Sequence, residues 1–149
     1  MDVAAWRAGY AGLVPDDVLA RLDPAERAAR WRDRIPDTIA LVAEYDGTLA
    51  GFTSLAVPAR DPDLRAATGE IRTLYVDPER WRRGIGRALL DAAAAELRDD
   101  GCDVAVLWVY EENTAGRAFY ASAGFEPDGA RKPDPFAGLP EVRLRAPLD

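Results

Sequence analysis

The chain has 149 residues, of which 48% are hydrophobic and 30% charged, and its formal net charge is −7. This balance is typical of a soluble globular protein with a sizeable core, and no apolar run is long enough to span a membrane. The acidic charge argues against a nucleic-acid partner, since phosphate binding needs a basic footprint. The N-terminus lacks the layout of a signal peptide, so we expect one domain over residues 1–149 in the cytoplasm.

The scarcity of histidine and cysteine limits the catalytic and metal-binding chemistry available to the chain. The chain has no histidine and one cysteine, Cys102. The lack of histidine removes the commonest general base, the commonest zinc ligand and any serine–histidine triad. A lone cysteine excludes an internal disulfide and a cysteine metal cluster. We therefore expect no metal, and proton transfer must use a carboxylate, a tyrosine, an amine or water.

The first half of the chain predicts helices followed by a β-hairpin. Helical spacing of large residues indicates helices around residues 3–10, 18–22 and 24–35, the last ended by Pro36. Strands are predicted over Thr38–Glu44 and Leu49–Val57, with Asp46-Gly47 between them as a hairpin turn. A polar loop follows over Pro58–Gly69.

The second half predicts a strand–helix–strand crossover. A strand over Glu70–Val76 leads through a glycine-containing turn into a helix over Gly86–Leu97 and then a continuously apolar strand over Asp103–Val109. Such a parallel crossover places the turn at the carboxyl end of a strand, where open sheets bind ligands. The elements together predict a mixed α/β sheet.

The end of the chain carries weaker signals. Asn113 can cap a helix over Thr114–Ala123, and Val142–Ala146 alternates like a final antiparallel strand. Lys132–Pro140, with three prolines, is predicted to be a mobile loop. In the earlier loop, Asp61 and Asp63 are interpreted as solvated turn residues or as an attraction for a cationic substrate.

The turn before the predicted helix carries arginines and two glycines. Gly84 and Gly86 allow turn geometries and a close backbone approach that a Cβ would forbid. Arg82, Arg83 and Arg87 add positive charge beside a helix N-terminus, which suits phosphate. The alternative interpretation is a basic surface turn with no ligand.

A second motif decides between these interpretations. Asn113 is followed by Phe119-Tyr120 and by Gly124-Phe125. From Glu70 to Phe125 the two motifs resemble the GNAT superfamily of acetyl-CoA-dependent N-acetyltransferases, whose phosphate loop has the form Arg/Gln-x-x-Gly-x-Gly/Ala and whose later segment reads Asn…Phe-Tyr-x-x-x-Gly-Phe. In this chain the first position of the loop is Trp81, with Arg82 adjacent to supply charge.

The resemblance implies a GNAT-like acyl-CoA N-acyltransferase fold. Its sheet is mixed and mostly antiparallel, is flanked by helices and contains a central parallel pair of strands that splay apart. The family opens with a β-strand, whereas Met1 here already precedes a helix, so the first strand is expected to be missing or the start codon to be misassigned. Its loss leaves the strand over Thr38–Glu44 with an unpaired edge, which a homodimer could cover.

The resemblance also implies a cofactor site. Acetyl-CoA is the expected acetyl donor, with its pyrophosphate on the turn and its pantetheine arm along the preceding strand. A backbone N–H near Tyr75 or Val76 is expected to polarise the thioester carbonyl. The predicted cofactor contacts are Leu74, Tyr75, Val76, Arg82, Arg83, Gly84, Ile85, Gly86, Arg87, Ala88, Asn113 and Phe119.

Two residues are predicted to carry the acetyl transfer. Glu70 is the candidate base, acting through a water, and its alternative is a solvated strand-end carboxylate. Tyr120 is the candidate acid for the leaving thiolate, and its alternative is a core aromatic with its hydroxyl at the rim. The expected acceptor is a small-molecule or peptide amine. A non-catalytic acyl-CoA-binding module and a dinucleotide-binding module are the rival functions.

Overall fold

The structure is a computed structural model that describes residues 7–8, 12–13 and 39–149. Residues 7–8 are helical and 12–13 form a turn. The remaining residues of the helices predicted before residue 36 lie outside the described residues. The expectation that the first strand is missing also falls outside them. Within these residues, no helix is both long and apolar enough to cross a membrane.

One six-stranded sheet organises the described residues, with the strand order β1-β2-β3-β4-β6-β5. Among the strands that the structure describes, only the pair β3–β4 is parallel, which confirms the predicted mixed and mostly antiparallel sheet. The strands are β1 (Ile39–Tyr45), β2 (Thr48–Ala56), β3 (Thr68–Val76), β4 (Val104–Tyr110), β5 (Glu126–Pro133) and β6 (Pro140–Pro147), and the helices are α1 (Ile85–Asp99) and α2 (Thr114–Ser122).

The hairpin between β1 and β2 forms where the sequence predicts it. Asp46 has φ 52° and Gly47 has φ 76°, so both turn residues are left-handed. Two consecutive left-handed residues are what a two-residue hairpin needs to match the twist of its strands. β2 continues antiparallel to β3, and Gly51 of β2 has no room for a Cβ, which would lie 2.7 Å from the Tyr75 carbonyl oxygen.

The parallel strands β3 and β4 separate part of the way along. They pair at three positions, from Thr68 opposite Val104 to Glu70 opposite Val106. The ladder stops there, although β3 continues to Val76 and β4 to Tyr110. The predicted splay is thereby confirmed, and it opens a gap in the middle of the sheet.

Helix α1 crosses between these two strands and packs on the sheet. Leu89, Leu90, Ala93 and Leu97 recur at helical spacing on its buried face. Burying a leucine side chain contributes about 1.5–3 kcal/mol, so this face alone is a large part of the core. The helix therefore holds its N-terminus rigidly at the carboxyl end of β3.

The loop predicted over Lys132–Pro140 is shorter in the structure and runs from Asp134 to Leu139. Lys132 and Pro133 belong to β5, and Pro140 begins β6, which lies between β4 and β5. The connection is ordered by the buried Asp134, whose carboxylate accepts hydrogen bonds from the backbone N–H groups of Phe136, Ala137 and Leu139. The backbone N–H groups of this connection thus find their acceptor in one carboxylate, a local bonding pattern that favours aspartate in turns.

Candidate active site

The turn that leads into α1, here called the α1 turn, comprises residues Arg82–Arg87. Arg82 has φ 64° and Gly84 has φ 79°, and Gly84 is the N-cap of α1 without a side-chain capping bond. The first intrahelical bond runs from the Ala88 N–H to the Gly84 carbonyl oxygen at 3.0 Å. The N–H groups of residues 84–87 thus have no acceptor within the helix, which is the arrangement that binds an anion.

A cavity of about 580 Å³, here called the cofactor groove, extends from the α1 turn along β3 to α2. All but two of the predicted cofactor contacts line it. They are Leu74, Tyr75, Val76, Arg82, Gly84, Ile85, Gly86, Arg87, Asn113 and Phe119. The two sequence motifs, more than twenty residues apart at their nearest points, therefore meet on one surface.

Arg83 and Ala88 are the two predicted contacts that do not line the groove. The guanidinium of Arg83 lies over the Tyr45 ring, 5.2 Å from its centre, which engages its charge in a cation–π contact. The N–H of Ala88 is already bonded within α1. Two of the predicted contacts are thus committed to interactions inside the protein.

Trp81 occupies the position at which the family that this chain resembles has arginine or glutamine. Its indole Nε1 donates to the Val76 carbonyl oxygen at 2.9 Å, and its ring lines the cofactor groove. The indole thus replaces the polar side chain of the family with a hydrogen bond that joins the segment before the α1 turn to the last residue of β3.

Asn113 caps α2 as predicted. Its Oδ1 accepts from the Gly116 N–H at 3.0 Å. A Cβ at Gly116 would lie 2.5 Å from the Asn113 amide, so the cap needs glycine at that position. Asn113 also lines the cofactor groove.

A smaller cavity of about 120 Å³, here called the strand gap, lies between β3 and β4 beyond their last paired residues. Ile71–Tyr75 of β3 and Leu107–Tyr110 of β4 form its walls, and Tyr120 and Glu141 complete it. Five residues line both cavities: Leu74, Tyr75, Trp108, Val109 and Tyr120. The groove and the gap therefore meet at this common wall.

Tyr120 lies at the junction, in contact with both cavities. Its ring packs edge-on against Phe119 and Phe125, at centre distances of 5.2 and 6.0 Å. Burial, with a smaller effect of Tyr75, raises the pKa of Tyr120 to about 12. The hydroxyl is thus protonated at neutral pH and can donate a hydrogen bond into the junction.

Glu70 is the last residue of β3 that pairs with β4, and 2% of its surface is exposed. Its carboxylate accepts from the Arg60 backbone N–H at 3.1 Å, from Nε at 3.1 Å and from Nη2 at 2.7 Å. The solvated strand-end interpretation is therefore wrong. The side chain is not part of the gap lining, and its role as a base stays a prediction.

A buried arginine that the sequence analysis missed holds the loop after β2 against the sheet. Arg143 of β6 is 5% exposed and bonds to Asp61, Asp63 and Asp128 at 2.6–3.1 Å. Asp61 also accepts from the Trp108 indole at 2.9 Å. Asp61 is thus a structural partner rather than a solvated turn residue, whereas Asp63 bonds to Arg143 with its side chain still 64% exposed. The hydrogen bonds from Arg143 lower the pKa of the Asp63 carboxyl, against a smaller opposing effect of desolvation.

The family model of the acetyltransferase (GNAT) family matches residues 6–125. The chain is 37% identical over 129 residues to a mycothiol acetyltransferase of Sanguibacter keddieii, a match that covers 83% of this chain but 40% of that protein. It is 30% identical over 148 residues to the uncharacterized N-acetyltransferase YuaI of Bacillus subtilis, covering 94% and 84% of the two chains.

A solved structure has the same fold. The PaiA N-acetyltransferase of Thermoplasma acidophilum, in complex with coenzyme A, aligns with a TM-score of 0.74 at 24% identity, over 97% of this chain and 87% of that one. At that identity the likeness shows the fold. The arrangement of sheet and helices described above is thus one that an N-acetyltransferase is known to adopt.

Proposed function

The chain belongs to the acetyltransferase (GNAT) family, and we propose that it transfers an acetyl group from acetyl-CoA to a primary amine. The observation that carries the proposal is the junction of two cavities at Tyr120 and the wall of β3. One cavity begins at an anion-binding helix N-terminus, and the other opens through the splayed strands. A donor and an acceptor can therefore reach the same point from two directions, which suits direct attack in a ternary complex.

The cofactor groove fits acetyl-CoA in its chemistry. The uncapped N–H groups of the α1 turn, together with Arg82 and Arg87, suit the pyrophosphate. The apolar wall of Val76, Ile85 and Phe119 suits the extended pantetheine arm. Bound acetyl-CoA would supply the activated acetyl group as a thioester.

Tyr120 is proposed to stabilise the departing thiolate. With a pKa of about 12 its hydroxyl stays protonated, so it donates a hydrogen bond at any physiological pH. A phenol with so high a pKa is a weaker acid than an ordinary thiol, whose pKa is about 8.5. We therefore assign to Tyr120 hydrogen-bond donation to sulfur rather than complete proton transfer.

The acceptor is proposed to be a small-molecule or peptide amine, and residues 1–149 are proposed to form a single N-acetyltransferase domain. The homodimer also stays a proposal. Within the described residues β1 pairs with β2 alone, and Val42 on β1 is 63% exposed. Analytical ultracentrifugation checks the dimer: a sedimentation coefficient that is independent of concentration and fits the 16.2 kDa chain would contradict it.

Two measurements test the proposed function. Thermal unfolding is followed with acetyl-CoA, coenzyme A and NAD, and thiol release is then followed with acetyl-CoA and a panel of a polyamine, an aminoglycoside, an amino acid and a peptide. We expect stabilisation by acetyl-CoA and coenzyme A, and thiol release with at least one amine. Stabilisation by NAD alone would overturn the proposal. Stabilisation by acetyl-CoA without turnover on any amine would indicate the non-catalytic binding module.

A further inference from the structure

We propose that Glu141 is the base that takes the proton from the acceptor ammonium in the strand gap. Glu141 is the carboxylate among the residues that line the gap, where it lies with Tyr120 and the diverged part of β3. The inference rests on the proposed acetyl transfer and assigns a role within it that the sequence analysis gave to Glu70.

The carboxylates that surround the gap differ in how fully they are engaged. Glu70 accepts three hydrogen bonds from Arg60. Asp134 accepts three from backbone N–H groups and one from the Tyr110 hydroxyl at 3.0 Å. Asp61 accepts from Trp108 and Arg143. Their lone pairs are thus already directed at protein donors.

Glu141 differs from these three groups. Within the part of the chain that the structure describes, its carboxylate forms neither a hydrogen bond nor an ion pair. It is partly buried, and it lies opposite Tyr110 of β4 and opposite Lys132 of β5 in the sheet register. Arg72 of β3 is the cationic residue of the same lining. A cationic amine that enters the gap therefore finds its anionic partner there in the Glu141 carboxylate.

The groups around Glu141 raise the pKa of its carboxyl, which makes the carboxylate a stronger base. Desolvation raises the pKa of Glu141 most. Asp134, in the connection between β5 and β6, and Glu70 on β3 raise it further. Lys132 on β5 and Arg60 in the loop before β3 oppose this effect and leave a net rise. A carboxylate with a raised pKa is a better proton acceptor, although it is ionised only above that pKa.

The step balances as follows. One proton passes from the ammonium to the Glu141 carboxylate, and the freed nitrogen lone pair forms the bond to the acetyl carbon. The carbon–sulfur bond breaks with its electron pair on sulfur. The second nitrogen proton goes to the thiolate, which Tyr120 stabilises by its hydrogen bond, and Glu141 returns its proton to solvent.

The test compares Glu141→Gln with the unaltered chain on the amine of the panel that the latter acetylates fastest. We expect kcat/KM at pH 7 to fall about 100-fold, the usual range for a lost general base. We also expect the rising limb of the pH profile to move toward the pKa of the amine itself, about 10 for an alkyl amine. Glu141→Asp should keep the original position of that limb at a reduced rate.

Two further variants make the outcome specific. Glu70→Gln should lower the unfolding temperature, because Arg60 loses its partner, and should move the rising limb slightly toward lower pH, because the Glu70 charge raises the pKa of Glu141. Glu126→Gln removes a carboxylate from the exposed face of β5 and should match the unaltered chain. Acetyl-CoA affinity and unfolding temperature are measured for every variant.

The outcomes separate the two proposals. A limb that moves up toward the pKa of the amine in Glu70→Gln but not in Glu141→Gln would overturn the assignment and favour Glu70. A Glu141→Gln chain that loses acetyl-CoA binding together with its rate would overturn it as well, since the role would then be structural. Failure of the unaltered chain to acetylate any amine would overturn the proposed function itself and this inference with it.

Discussion

The α1 turn is contained within six consecutive residues, whereas the strand gap takes its lining from β3, β4, α2 and β6. Left-handed backbone at two positions and the start of a helix are enough to build the turn. The gap exists because two strands stop pairing, and its side chains come together only when the whole sheet has formed. The proposed anion binding at the α1 turn therefore depends on local backbone geometry, while the proposed catalysis depends on long-range packing.

The largest expected effect comes from breaking the packing behind the gap. Arg143→Met leaves the carboxylates of Asp61 and Asp128 partly buried without their cation, and we expect a loss of about 3–5 kcal/mol in the free energy of unfolding. Denaturant titration measures it. Arg145→Met is the control, since Arg145 lies two residues along the same face of β6 but is exposed, and it should change stability by less than about 0.5 kcal/mol. Equal effects of the two substitutions would contradict the structural role of Arg143.

The next largest effect should come from the junction itself. Tyr120→Phe keeps the ring and its packing but removes the hydroxyl, so we expect kcat to fall about 100-fold with the acetyl-CoA dissociation constant unchanged. Because the pKa of Tyr120 is about 12, the unaltered chain should show no decline in kcat from this residue until the pH approaches that value. Intact turnover in Tyr120→Phe would remove the hydroxyl from the mechanism.

A smaller effect should follow from straining the turn. Gly84→Ala places a Cβ on left-handed backbone, which costs about 1–2 kcal/mol, and we expect acetyl-CoA binding to weaken about tenfold as the N–H groups lose alignment. Gly101→Ala is a matched control, since Gly101 is also left-handed, with φ 89°, and lies outside the site. Both variants should lose similar stability. Calorimetry should show weaker acetyl-CoA binding in the first only, and equal binding would contradict a role for the turn.

The smallest expected effect is on acetyl-CoA affinity, and it should differ between two neighbouring arginines. Arg82 lines the cofactor groove, whereas Arg83 lies over Tyr45. Arg82→Ala should weaken acetyl-CoA binding about three- to fivefold at low salt, an effect that shrinks as salt screens the exposed charge. Arg83→Ala should leave the affinity nearly unchanged. The reverse order in a salt titration would contradict the orientation of these side chains.

The sequence predicted the features that short stretches encode. The hairpin at Asp46-Gly47 and the cap at Asn113 follow from turn and capping chemistry over two to four residues. The buried strand β4 follows from its continuous apolar run. The GNAT family followed from the two motifs, and the family comparison confirms it.

The features that the sequence could not predict depend on distant partners. Arg143 bonds to Asp63, which lies 80 positions earlier in the chain, and no local pattern records that pairing. Arg60 holds Glu70 in the same way across ten positions. Alternation on β6 places Glu141 and Arg143 on the same face of the strand. It does not predict which groups they contact there.

By itself the sequence determined the family, the α1 turn and most of the cofactor groove, because glycines, caps and apolar periods act on the backbone within a few residues. The identity of the carboxylate that lines the strand gap depends on the tertiary structure. The parallel strands separate after Glu70, and the opening is then lined by a residue from β6, the last strand of the chain. A side chain's availability for proton transfer depends on which donors pack around it, and that packing is set by the whole sheet.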